Sequence, residues 1–142
     1  MSITDAQAID IIQDDFLTYW NANIASVGLD HTPVLHWPNV ETDDQLDTNK
    51  HHLRFKIEVL DQPQTTLALN PCYTTFGFLT IQFFFSRVKY TQVDDVAMRT
   101  IARDAFRNAS NSVWYRNARS TALNPEEIWY RAKVVADFVY DT

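Results

Sequence analysis

The chain has 142 residues, 46% of them hydrophobic and 21% charged, with only two Gly; this composition excludes a disordered, collagenous or loop-dominated protein and predicts one domain. Its net charge of −6 hides an asymmetry, because residues 1–49 contain nine acids and no Lys or Arg, while all twelve bases lie from Lys50 onward against nine acids. An acidic first third suits either a solvated surface or a head-to-tail contact between copies, and a pI near 5.0 argues against tight sequence-independent binding of nucleic acid.

Thr4-Asp5-Ala6-Gln7 reads as a capping box, with Thr4 accepting from an early amide, Gln7 reaching back and Asp5 near the positive helix end. A helix follows to about Asn21, with Ile9, Ile12, Phe16 and Tyr19 or Trp20 as its buried stripe and Asp10, Gln13 and Asp14 facing out. The start lacks the basic and apolar runs of a signal peptide, and the single Cys72 excludes an internal disulfide. No stretch approaches a membrane span. The expectation is a soluble protein made in a reducing compartment, with no membrane partner.

Gly28 marks a turn, Val34 to Trp37 a short strand stopped by Pro38, and Asn39 to Asn49 an exposed acidic loop. His52 to Val59 alternates cleanly, with Leu53, Phe55, Ile57 and Val59 inward and Arg54, Lys56 and Glu58 outward. Asp61 to Pro71 is too long for a tight hairpin turn, so it predicts a projecting β-arm. The nearly uncharged centre of that arm, Thr65 to Leu69, suits an interface element or a flexible loop equally.

Cys72 to Ser86 organises the rest. One of its faces carries Tyr73, Thr75, Gly77, Leu79, Ile81, Phe83 and Phe85, and the other Thr74, Phe76, Phe78, Thr80, Gln82 and Phe84. Both faces are apolar enough to need cover. A chain this short can cover one with its own helices, and the second calls for another subunit. A second helix starts near Thr91, with Val93, Val96 or Ala97, Ile101 and Ala105 buried, Asp95 paired four residues on to Arg99, and Arg99, Arg103 and Arg107 forming a basic outer stripe. Ser112 to Ser120 and Ile128 to Tyr140 are strands around the turn Leu123-Asn124-Pro125-Glu126. The triplets Trp114-Tyr115-Arg116 and Trp129-Tyr130-Arg131 suit either nucleic acid or stacking across that hairpin. The order αβββαββ implies an α+β domain: an antiparallel sheet of about five strands with two helices on one face and the arm projecting.

No catalytic site, metal site or cofactor is expected. His51 and His52 are neighbours on a strand and point to opposite faces, His31 and His36 lie in a loop and a short strand, and neither metal-ligand spacing nor a nucleophile elbow occurs. With two Gly, no loop can cradle phosphates.

In order and spacing, the chain resembles the tail terminator proteins of long-tailed bacteriophages, the family that includes the protein capping the phage lambda tail. The resemblance runs from the first helix through Trp37-Pro38-Asn39, the strand Leu53 to Val59, the long arm, Gly77 to Phe84, the Ala- and Arg-bearing helix and Trp129 to Val134, ending at Phe138-Val139-Tyr140-Asp141. Where that family has a Gly-rich lead-in to the central strand, this chain has Asn70-Pro71-Cys72-Tyr73. The resemblance implies a structural virion protein of the neck, assembled in the host cytoplasm and not an enzyme. It implies a homo-hexameric ring that stops tail-tube polymerisation and meets the head-completion (stopper) protein, with the genome sliding through the lumen unbound and, in a contractile tail, the sheath protein as a further partner. On that reading Asp43, Asp44 and Asp47 face Arg99, Arg103 or Arg107 between subunits, and Thr66, Leu67 and Leu69 make the arm contacts. The alternatives are another neck or head-closure connector and a small-molecule binding module. An unrecognised enzyme ranks last.

Overall fold

A computed structural model describes residues 3–37, 48–60, 74–107, 112–126 and 129–141. The first helix, α1 (Asp5–Asn23), begins at the expected capping box: the Gln7 amide donates to Thr4 Oγ1 at 3.1 Å and the Thr4 amide to Gln7 Oε1 at 2.9 Å. Its buried stripe is Ala8, Ile12, Phe16 and Trp20. A 3₁₀ turn, Ile24–Val27, closes it, and Gly28 follows at φ 76°, a conformation other residues adopt only with strain.

Five strands follow: β1 (Val34–His36), β2 (His52–Val59), β3 (Thr74–Ser86), β4 (Trp114–Glu126) and β5 (Trp129–Asp141), with α2 (Gln92–Arg107) between β3 and β4. They form one sheet in the order β1-β2-β3-β5-β4. The domain is α+β, with both helices against the same face: Phe16 of α1 meets Phe55 of β2 and Phe106 of α2. Leu53, Phe55, Leu79, Ile81, Phe83, Phe85, Val134, Phe138 and Tyr140 are buried with the helix stripes in a single core.

Four expectations are corrected. Val59, read as inward at the end of β2, is exposed. The sheet is mixed, because β1 runs parallel to β2 while the other neighbours are antiparallel. Residues 37–51 between those strands supply the dozen or more residues that a parallel return needs, so no hairpin is imposed. Leu123-Asn124-Pro125-Glu126 is strand and not turn: β4 continues to Glu126, and the register shift between Leu123 and Glu126 leaves Pro125 unpaired on an edge strand, where its missing N–H costs no ladder bond. In α2, Val93 and Val96 lie outside at 78% and 47% exposure, and the buried stripe is Asp95, Met98, Ala102, Ala105 and Phe106. Asp95 turns that side inward by accepting from Tyr90 Oη at 2.8 Å and Arg99 Nε at 2.6 Å. A buried carboxylate with two donors is satisfied, and burying Val93 would turn it away from them. The segment read as the projecting arm lies outside the described residues.

Gly77 is fixed by close approach. It pairs with Val59 and Phe138, and a Cβ there would stand 2.0 Å from the Glu58 carbonyl oxygen and 2.9 Å from Phe138 Cζ. Backbone cannot yield as a flexible side chain does. Gly77→Ala is expected to destabilise the domain by at least about 1–3 kcal/mol, the usual cost of overpacking, read as a lowered urea midpoint. A variant as stable as the wild type would show that β2 and β3 are less closely paired there.

Candidate functional site

The alternation that buries one face of the sheet leaves the other outside. On β3, Thr75, Gly77, Leu79, Ile81, Phe83 and Phe85 are buried, and Phe76, Phe78, Thr80, Gln82 and Phe84 are exposed or half-buried. Neighbouring strands keep the register, so each outward position on β3 heads a row: Arg54, Gln82 and Lys133 stand side by side, as do Lys56, Thr80 and Val135, and then Glu58, Phe78 and Asp137. No helix among the described residues covers this face. It is the surface of the domain most in need of a partner.

Its two ends differ. At one end Leu60, Phe76 and Trp114 are 47%, 40% and 51% exposed, and Val139 pairs with both Phe76 and Trp114 in a single apolar row. That row borders a shallow depression of about 590 Å³, also lined by Phe78, Arg116 and Asp137. At the other end, Phe84 lies under the guanidiniums of Arg54 and Arg131, at 5.5 and 5.7 Å from its ring centroid, and edge-on to Trp129. Between the ends the face is predominantly basic. Among its described side chains Arg54, Lys56, Arg116, Arg119, Arg131 and Lys133 stand against Glu58, Asp137 and Asp141. Lys56 pairs with Glu58 at 2.7 Å and Arg119 with Asp137 at 3.7 Å. Arg54, Arg116 and Lys133 have no ion-pair partner among the described residues.

The arginines of α2 are otherwise engaged. Arg99 binds Asp95, as its spacing predicted, and is largely buried; Arg103 pairs with Asp104 at 3.3 Å; Arg107 Nη2 donates to the Ala118 carbonyl at 3.0 Å, tying the helix end to the irregular stretch of β4. They do not form a free basic stripe. Asp43, Asp44 and Asp47, with Thr66, Leu67 and Leu69, lie outside the described residues. The two aromatic triplets do not stack on each other: Trp114 pairs with Val139, Trp129 packs against His52 and Phe84, and Tyr130 stacks on Tyr90. Outward alternation on β2 and on β5 was legible separately, but their shared rows depend on pairing with β3. That is why Arg54 and Lys133 did not emerge as neighbours.

All four histidines gather beside β1 and β2, split between the faces as adjacent strand positions require. His52 Nδ1 lies 2.9 Å from His36 Nε2 on the outer side. On the inner side His51 packs against His31 and Phe85, its amide donates to His31 Nε2 at 3.0 Å, and its Nδ1 accepts from the Ser86 amide at 3.0 Å. His31 Nε2 thus accepts, so its Nδ1 carries the proton shared with Asp30 at 2.7 Å. His51 must likewise carry its proton on Nε2, which is buried without a hydrogen-bond partner among the described residues. Among the described residues no group of three or more His, Cys, Asp or Glu is arranged to hold a metal ion. No described helix is long and apolar enough to cross a membrane.

No family model matches the chain, and no curated protein is significantly similar to it.

Burial pushes the His51 pKa down to about 4, helped by neighbouring His31, and burial lowers that of His36 as well. Both lie below the value of about 6.5 for imidazole in an unfolded chain. Protonation therefore favours the unfolded state: this contribution is complete above pH about 6.5 and is lost as the pH falls toward 4. At roughly 1.4 kcal/mol per pH unit, His51 alone accounts for a loss on the order of 3 kcal/mol. The urea midpoint is expected to fall between pH 7.5 and 4.5, and much of that fall should vanish in His51→Gln. An equally steep fall in the variant would assign the pH dependence to other groups.

Proposed function

We propose that this protein is a structural subunit of a bacteriophage neck. Copies of it close into a ring, six-membered in the family it resembles, that caps the tail tube, ends its polymerisation and offers its other face to the head-completion protein. The genome passes through the lumen without being bound, and no bond is made or broken.

The observation that carries this reading is the one-sided sheet. Exposed aromatic and aliphatic side chains aligned in one cross-strand row mark an interaction surface, and a protein that works by surface complementarity needs no convergent titratable groups. The resemblance in element order and spacing supplies the kind of assembly. A head-closure connector would need the same one-sided subunit, and the two differ in where they sit.

The test is light scattering of the purified protein, with negative-stain images of it in the presence and absence of tail tubes. Rings of about six copies, or rings found only at one end of a tube, are expected. Rings indifferent to tubes but bound to head vertices would favour the connector, and a monomer indifferent to both would overturn the ring. Phe76→Ser combined with Trp114→Ser should weaken assembly or tube capping at least tenfold. Because both side chains are about half exposed in the single chain, the melting temperature should change little. Unchanged capping would place the contact elsewhere.

A further inference from the structure

The open face is basic, whereas helix α1 on the far side of the same domain is acidic. Helix α1 carries Asp5, Asp10, Asp14 and Asp15 and no base. Two of these carboxylates are used internally, Asp5 accepting from Tyr140 Oη at 2.7 Å and Asp15 from Tyr115 Oη at 2.6 Å. Asp10 and Asp14 are exposed and have no partner among the described residues. They stand one helical turn apart, about 6 Å, on the side of α1 turned away from the sheet. Arg54 and Lys133 flank Gln82 in one row, about 10 Å apart across two strand spacings. Long side chains bring these two pairs of charges into register.

Resting on the ring reading above, we propose that the open sheet face of one copy docks the outer side of α1 of the next, with Arg54 and Lys133 receiving Asp10 and Asp14. Space permits it: β2, β3, β5 and β4 present a face about 40 Å by about 18 Å, which holds the roughly 28 Å by about 10 Å outline of the 19-residue α1 with room for the surface beside it. Charge fixes the symmetry. A two-fold contact of the face with itself would set six bases and three acids against the same excess of bases, whereas α1 supplies an acidic surface on every copy. The two surfaces lie on opposite sides of the domain, so the contact is heterologous and propagates head to tail until it closes. Nucleic acid is the less favoured occupant, because a chain of net charge −6 repels phosphates.

The test is a mixing experiment with two full-length charge-reversed variants, Asp10→Lys/Asp14→Lys and Arg54→Glu/Lys133→Glu. Asp10, Asp14 and Arg54 are exposed and Lys133 is half-buried, and circular dichroism and melting temperature check that each variant folds. Alone, each variant meets like charge at every contact and should assemble at least tenfold more weakly than wild type. Mixed in equal amounts they should assemble again, because in an alternating arrangement every α1 meets a sheet face of opposite charge, and a ring with an even number of copies closes. Assembly of either variant alone at wild-type strength would overturn the proposal while leaving a ring intact; the helix variant assembling normally while the sheet variant fails would indicate a two-fold contact. Failure of the mixture to recover would also overturn it. Wild-type protein that stays monomeric with and without tubes would remove the ring reading itself. Binding of a single-stranded oligonucleotide that is lost only in the sheet variant, with assembly unchanged in both, would reassign the face to nucleic acid.

Discussion

The middle of the sheet depends on β3, whose thirteen residues pair with β5 along their whole length and with β2 over eight of them. Strand pairing imposes a strict two-residue period, so every side chain on β3 is committed to one face or the other. The inward set, Leu79, Ile81, Phe83 and Phe85, is large enough to anchor both helices, and Gly77 supplies the one place where the Glu58 backbone and the Phe138 ring approach too closely for any side chain. The outward set, with Phe76, Phe78 and Phe84, is then unavoidable. A strand aromatic on both faces in a domain with helices on one side leaves an uncovered surface as a geometrical consequence.

Polar groups inside the domain follow the same economy. Asp95, Asp15 and Asp5 each reach a tyrosine hydroxyl, and each contact ties a helix to another element: Asp95 to Tyr90 before α2, Asp15 to Tyr115 on β4 and Asp5 to Tyr140 on β5. Burial raises the pKa of each tyrosine, that of Tyr90 to about 12, and the adjacent carboxylate reinforces the shift. These hydroxyls therefore remain donors across the physiological range, and a carboxylate facing a fixed donor is neither unpaired nor repelled. His51 departs from this pattern: its Nε2, like Thr75 Oγ1, has no partner among the described residues, and the ring stays neutral at the expense of acid stability.

Local rules were legible where local chemistry decides. The capping box of Thr4 and Gln7, the inward set of β2 from Leu53 to Ile57 and the two faces of β3 follow from spacing alone. Four features were not legible, each because tertiary structure overrides a local signal. Val93 and Val96 look like a buried stripe until Tyr90 and Arg99 draw Asp95 inward. Pro125 looks like a turn until the register shift of an edge strand makes it harmless. The direction of β1 is set by a return path rather than by its three residues. Finally, Arg54 and Lys133 are 79 positions apart in the chain, and only their common pairing with Gln82 makes them neighbours.

The division of charge along the chain becomes a division in space. Of the acids in the first third, Asp10 and Asp14 face away from the sheet on α1, while of the bases that follow Lys50, Arg54, Lys56, Arg116, Arg119, Arg131 and Lys133 lie on β2, β4 and β5 and turn to the open side. An isolated monomer gains little from separating its charges in this way, since exposed ion pairs contribute only about 0–1 kcal/mol and α2 already satisfies its own arginines within the chain. Between copies the same separation acts differently. It opposes face-to-face pairing, favours one end meeting the other, and draws the two surfaces together over distances within a Debye length, about 8–10 Å at ordinary salt. Apolar contact at Phe76 and Trp114 can then provide affinity while charge provides orientation. This partition of roles is what the proposed head-to-tail ring would require.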